Sequence, residues 1–237
     1  IWFGEMYKKK PFFIVFEGVE GCGKSYQSRK LLNNLKKKKI PSLLTREPGG
    51  TKSAELIRNL ILKDYFNKDN REKFDKYTDT LLYLAARNEH IKNKIKPALK
   101  SKFIVICDRF TDSTLAYQVF GKKINIKFIN NIHKFILNGI KPNITFVLKV
   151  SSKSSQKRLK KRKSKNRYDN FAQSFYNKAQ KSFLKIAKNK KNYYVLESSN
   201  NDNGLEKKIF KIVSHYLKIK WLFLHTLTQK NHLNYLA

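Results

Sequence analysis

Residues Gly18-Val19-Glu20-Gly21-Cys22-Gly23-Lys24-Ser25 fit the pattern G-x-x-x-x-G-K-[ST]. The glycines let a backbone wrap a phosphate with its N–H groups turned inward, the lysine bridges neighbouring phosphates, and the hydroxyl is a hard oxygen ligand for Mg²⁺. These eight residues are therefore expected to hold ATP with its magnesium, Lys24 acting on the phosphates and Ser25 on the metal. Glu20 is the odd member, because an acid beside a bound polyphosphate is repelled. It is either solvated or faces away from ATP to meet a hydroxyl of a second substrate. Asp108-Arg109 ends an apolar run, and the carboxyl ends of strands are where open α/β sheets bind ligands. Asp108 would help hold Mg²⁺ through water and Arg109 would clamp a phosphate; a purely structural ion pair is the alternative.

The elements that must position these groups alternate in type. Phe12 to Phe16, Ser42 to Thr45, Phe103 to Cys107, Ile144 to Val150 and Tyr193 to Leu196 read as buried strands. Between them, helical spacing is expected over Lys24 to Lys38, Ser53 to Leu62, Ile126 to Leu137, Phe171 to Lys188 and Leu205 to Lys218. A long helix from Asp75 to about Leu99 carries Leu81, Leu84, Ala85, Asn88, Ile91 and Ile95 at its period and is interrupted at Pro97. The Ser/Lys-rich stretch 151–170 reads as polar and mobile. Such alternation implies an α/β fold: a parallel five-stranded sheet with helices on both faces. One domain is expected over residues 11–218, with extensions at 1–10 and 219–237 whose role the pattern does not reveal.

Composition bounds the function less than its size suggests. The 237 residues hold 52 Lys+Arg against 17 Asp+Glu, a net charge of +35. Nine of the cations are arginines and 43 are lysines, whereas proteins that grip phosphate specifically favour the arginine fork. The lysines travel with Asn, Ile, Phe and Tyr, the residues of A- and T-rich codons. Base bias therefore explains the charge without a specific nucleic-acid partner. With 41% hydrophobic residues the chain is too apolar for a disordered basic tail. No run approaches the roughly 20 apolar residues of a membrane span, and Pro11 to Phe16 is too short for a signal peptide. Only Cys22 and Cys107 are present, which suits a reducing, cytoplasmic setting. Both thiols are expected near the phosphates, Cys22 as a point where oxidation would block ATP.

Three further blocks follow the phosphate loop: Thr45-Arg46-Glu47-Pro48-Gly49-Gly50-Thr51, Leu81-Leu82-Tyr83-Leu84-Ala85-Ala86-Arg87, and Asp108-Arg109-Phe110 through Ser113-Thr114-Leu115-Ala116-Tyr117-Gln118. In this order and spacing the chain resembles the thymidylate kinases of the P-loop nucleoside monophosphate kinase superfamily, from about Pro11 to Lys218. The resemblance implies transfer of the γ-phosphoryl group of ATP to dTMP by direct in-line displacement, supplying dTTP synthesis. It further implies that Tyr83 stacks on thymine, Arg87 bonds its O4, Gln118 reads N3, Arg46 and Arg109 hold the dTMP phosphate, and Glu20 meets the sugar 3′-hydroxyl. Ser113 and Tyr117 line base and sugar. Spacing of i, i+4 puts Tyr83 and Arg87 on one helix face. The stretch 151–170 falls where the family has a lid, and because Gly21 and Cys22 occupy the loop position where some members carry arginine, Arg162 becomes the implied catalytic charge stabiliser, with Arg158 and Arg167 behind it. A homodimer is implied as well. Two other readings remain: a kinase for another nucleoside monophosphate, and an ATPase stimulated by nucleic acid.

Overall fold

The computed structural model describes residues 10–62, 74–161, 172–200 and 204–219. Five strands, β1 (Phe12–Glu17), β2 (Ser42–Arg46), β3 (Ile104–Asp108), β4 (Ile144–Lys149) and β5 (Tyr193–Glu197), form one sheet in the order β2-β3-β1-β4-β5. All four pairings are parallel. The expected α/β fold is therefore the one observed. The central strands are apolar on both faces because helices cover both. Ile14 and Phe16 of β1 turn to a core completed by Leu31 and Leu35 of α1 (Lys24–Lys37), Phe183 of α8 (Gln173–Ala187) and Ile209 of α9 (Gly204–Leu217). Phe13 and Val15 turn to the other face, against Ile91, Ile95 and Phe110.

Sheet register sets the site. Phe16 of β1 lies beside Asp108 of β3, which also lies beside Arg46 of β2. The acid–arginine pair after β3 and the first residues after β1 and β2 thus emerge at one edge of the sheet. The chain leaves β1 toward the β2 edge and leaves β4 toward β5, so these carboxyl ends flank a crevice.

Two local expectations are corrected. The long helix is α3 (Lys76–His90), one π turn over Ile91–Ile95, and α4 (Lys96–Lys100). Pro97 has no N–H to donate and its ring crowds the carbonyl four residues back; the wider turn just before it relieves that conflict. Leu81, Ala85 and Asn88 of α3 face solvent, and its buried side is Leu84, Ala86, Arg87 and His90. Residues 111–119, to which the pattern assigns no element, form α5 (Thr111–Thr114) and a π turn over Leu115–Val119. The first half of the stretch expected to be mobile is α7 (Ser152–Lys160), capped by the Ser151 hydroxyl, which accepts from Ser154 N at 3.2 Å. The remaining helices are α2 (Lys52–Leu62) and α6 (Ile126–Leu137).

Phe146 of β4 is fully buried between Phe16 and Tyr194, with ring centroids 5.2 and 5.8 Å away. Phe146→Ala should lower stability by about 3–5 kcal/mol through lost transfer energy and a cavity at the centre of the sheet. Denaturant unfolding should show this as a lower midpoint with an unchanged slope.

Candidate active site

The phosphate loop joins β1 to α1. Gly23, left-handed at φ 90, begins the helix without a side-chain cap, and the first turn carries no acid. Tyr26 and Gln27 return their N–H groups to the Gly23 carbonyl, leaving the amides of Lys24 and Ser25 at a helix N-terminus where an anion is stabilised. Lys24 is buried and folds over the loop, its Nζ donating to the carbonyls of Gly18 at 3.0 Å and Val19 at 2.8 Å. The Ser25 hydroxyl donates to the Asp108 carboxylate. A hydroxyl beside a carboxylate is a hard oxygen pair, and it fits Mg²⁺, which takes few protein oxygens and keeps much of its water.

Val19 and Cys22 turn their side chains into the core, so these two can meet a nucleotide only through their backbone. Cys22 and Cys107 are free and fully buried. This corrects the expectation that Cys22 is an accessible oxidation point, since its sulfur lies under the loop. Gly21 has φ 71, and a Cβ there would come within 2.8 Å of the Ser155 carbonyl. The glycine thereby lets α7 rest on the loop. Ser155 Oγ donates to Glu20 O at 2.8 Å, and Arg158 donates to Gly21 O at 3.1 Å and to Ser198 O at 2.7 Å. Arg162 and Arg167 lie outside the described residues.

Arg109 joins the loop to the turn after β3. Its Nη1 donates to Gly18 O at 2.9 Å and Ser113 Oγ at 3.0 Å, its Nη2 to Glu20 Oε1 at 2.8 Å, and its guanidinium lies 5.3 Å from the Tyr117 ring centroid. Tyr117 donates its hydroxyl to Glu20 Oε2 at 2.6 Å. Burial opposes ionisation of Glu20, but the charges of Arg109 and Lys24 outweigh it and hold the carboxyl below its usual range. Glu20 therefore faces Arg109 and Tyr117. Beneath this layer, Glu17 ends β1 fully buried. Burial first, and the negative charge of Asp112 second, push its carboxyl up to about 8.

Arg87 sits at the bottom of the crevice in a buried polar network. Its Nε donates to Glu47 Oε2 at 2.7 Å, Nη1 to Thr114 Oγ1 and toward His133 Nε2 at 2.8 Å each, and Nη2 to Phe110 O at 2.9 Å. Four of the five guanidinium N–H bonds thus have protein partners, and one remains for a ligand oxygen. Burial and the Arg87 charge lower His133 to about 3, so it is neutral and can accept from Arg87. Glu47 also bonds His90 Nδ1 at 3.0 Å, while His90 Nε2 meets Thr45 Oγ1 at 2.6 Å. Burial raises the pKa of Glu47, but Arg87 and then His90 reverse the sign and keep it ionised.

A cavity of about 530 Å³ connects these groups. Glu20, Gly21, Gly23, Lys24, Ser25, Arg46, Tyr83, Arg87, Asp108, Arg109, Ser113, Tyr117 and Gln118, all singled out from sequence, line it. Every arginine among the described residues does so: Arg29, Arg46, Arg58, Arg87, Arg109 and Arg158. Among the described lysines only Lys24 does. Arg46 is half exposed and paired with Glu55 at 3.0 Å. Sequence reasoning passed over Glu17, Glu47, Arg58 and His133. Arg58 shared the preference for arginine; the two glutamates lay inside or beside quoted motifs without a visible partner, and His133 sat unremarked in an apolar helix.

The thymidylate kinase family profile matches residues 16–209. A thymidylate kinase of Mycoplasma capricolum is 37% identical over 87% of this chain and 96% of that protein. One from Wolbachia pipientis wMel is 42% identical over 74% of this chain and 84% of its own. The crystal structure of thymidylate kinase from Ehrlichia chaffeensis superposes with a TM-score of 0.67 at 31% identity, covering 86% of this chain and 99% of that one. With the family's profile spanning most of the chain, and a crevice built from the same blocks, this protein belongs to the thymidylate kinase family.

Proposed function

We propose that the protein transfers the γ-phosphoryl group of ATP to dTMP, directly and in line, giving dTDP and ADP and feeding dTTP synthesis. The observation that carries this reading is the single cavity joining the phosphate loop to Arg46, Tyr83, Arg87, Arg109 and Gln118 in a chain of this family. Two nucleotides with their phosphates facing one another need such a crevice. Catalysis of phosphoryl transfer is mostly positioning and neutralisation of spreading charge.

Gly18 to Ser25 hold the ATP phosphates, Lys24 leaving its carbonyl partners to bridge them. Ser25 and Asp108 hold Mg²⁺, which when bound offsets phosphate charge. Arg46 and Arg109 hold the dTMP phosphate, so Arg46 exchanges Glu55 for the ligand. Tyr83 stacks on thymine, the one unclaimed N–H of Arg87 meets O4, and Gln118 meets N3. Ser113 and Tyr117 flank the sugar, with Glu20 on its 3′-hydroxyl. Arg158, placed on the loop by α7, neutralises charge on the ATP side.

Leu56 of α2, Leu81 of α3 and Phe135 of α6 are 69%, 46% and 81% exposed. Apolar exposure on α3 and on α2 and α6, which each pack against it, supports a homodimer. No helix among the described residues is long and apolar enough to cross a membrane, and two free cysteines suit the cytoplasm.

ADP release coupled to a spectrophotometric readout should depend on dTMP, with kcat/KM highest for dTMP among dTMP, dUMP, UMP and dCMP. A maximum on another monophosphate would reassign the substrate, and hydrolysis stimulated by DNA or RNA without dTMP would replace the kinase reading. Arg46→Ala should raise KM for dTMP about tenfold or more with little change for ATP, because its ion pair is exposed and contributes little to folding. Arg87→Ala should do the same and also lower stability by about 3–5 kcal/mol, since it leaves Glu47 buried and only partly paired. Light scattering should give twice the 28.0 kDa chain mass, and Phe135→Glu should shift it toward the monomer.

A further inference from the structure

Glu17 is a buried ionisable group that no step above uses. Its Oε1 accepts from Phe110 N at 2.8 Å and Ser113 N at 3.2 Å, and its Oε2 accepts from Ser113 Oγ at 2.6 Å. The same Ser113 hydroxyl accepts from Arg109 Nη1 at 3.0 Å. A continuous path therefore runs from the end of β1, through the turn after β3, to the guanidinium proposed for the dTMP phosphate.

The turn needs such a fastening. Arg109 has φ 74, in the left-handed region that side chains rarely adopt. Phe110 follows with an extended backbone, and α5 is a single short turn without a side-chain cap of its own. A four-residue helix contributes little stability by itself. Three hydrogen bonds converging on one carboxyl group fix the amides at its start. Phe110 also packs edge-on against Phe13 of β1 at 5.1 Å, so the apolar side of the turn is held by the same strand.

Burying a carboxyl group at this place has a cost that an apolar residue would avoid. Burial and Asp112 both disfavour its ionised form. A costly group retained at the end of β1, with every acceptor oxygen spent on this one turn, has a job of orientation rather than of packing.

We propose that Glu17 is the positioning residue of the acceptor side: by fixing the 110–113 turn and orienting the Ser113 hydroxyl, it sets Arg109 for the dTMP phosphate. This rests on the dTMP kinase reading above. Glu17 acts through Ser113 and Arg109 and touches neither nucleotide. A shift of about 1 Å in a clamp of this kind can cost on the order of 100-fold in rate.

The test compares the wild type with Glu17→Leu, which keeps the volume but removes the acceptors, with Ser113→Ala, and with the double variant. Glu17→Leu should lower kcat/KM for dTMP about 30-fold and Ser113→Ala about tenfold, while KM for ATP stays within about twofold. Because both cut one path, the double variant should be no worse than Glu17→Leu alone. A role in folding only would instead lower the melting temperature and leave the kinetics of the folded fraction unchanged. The proposal is overturned by wild-type constants in either single variant, by ATP and dTMP constants falling together, or by losses that multiply in the double variant. Should Glu17→Leu not fold, the partly buried Ser113→Ala decides, since wild-type constants for dTMP there already break the path. Wild-type turnover in the same assay separates this outcome from failure of the dTMP assignment; without that turnover the proposal falls with it.

Discussion

The guanidinium of Arg109 is the constraint on which the rest of the crevice depends. It bonds the Gly18 carbonyl, Glu20 and Ser113 and lies against Tyr117. The phosphate loop is thereby locked to the segment that runs from the end of β3 through α5 into the π turn, about 90 residues later, by one planar group. Its charge matters as much as its shape. Burial works to lower its pKa, but Glu20 first, then Tyr117 and Asp108, more than compensate and keep it charged. An arginine can fill this place because its five donors lie in a fixed plane; a lysine would supply one compact charge and lose the simultaneous bonds.

A second buried arginine organises the opposite wall by the same rule. Arg87 would be an expensive group to desolvate alone. Glu47 neutralises it, Thr114, His133 and the Phe110 carbonyl take three more of its donors, and Glu47 is in turn held by His90, whose other ring nitrogen meets Thr45. Such a network is stable only if nearly every member is satisfied. That completeness leaves a single N–H of the guanidinium without a partner among the described residues. A ligand oxygen must come to a fixed donor, because the guanidinium cannot turn without breaking the bonds to Glu47 and Thr114.

Much of this is legible in the amino-acid sequence. The five strands, their parallel pairing and the phosphate loop follow from hydrophobic runs alternating with helices and from glycine, lysine and serine at fixed spacing, whereas the strand order does not. Thirteen of the residues that line the cavity were named from motifs. What stayed hidden shares one physical cause: its stability comes from partners far away in sequence. Residues 111–119 show no periodic pattern because Thr111, Asp112, Ser113 and Thr114 favour turns locally, and the Glu17 carboxyl from β1 fastens the start of α5. Residues 152–160 look solvated because eight of the nine are polar or charged, yet Ser155, Arg158 and Leu159 share one side and settle on Gly21 and the cavity. The stripe on α3 was misread for the reverse reason. Leu81, Ala85 and Asn88 fit the helical period, but the buried face is claimed by Arg87 and His90, polar residues that only a charge network could bury.

The net charge of +35 is resolved by where each kind of cation stands. All six described arginines line the cavity, and of the described lysines only Lys24 does. Codon bias toward A and T can replace a solvated cation with lysine at almost no physical cost, because a point charge in water has no geometry to lose. It cannot do so where a fork must bond a carboxylate, a carbonyl and a phosphate at once. The arginines that remain are therefore a record of where geometry was required. By the same logic Arg58, which donates to Pro48 O at 2.6 Å and lines the cavity with Arg46, belongs with the arginines of the crevice, although no motif pointed to it. The lysine surface supplies at most a diffuse attraction for anionic nucleotides; the arginines give that attraction a place to end.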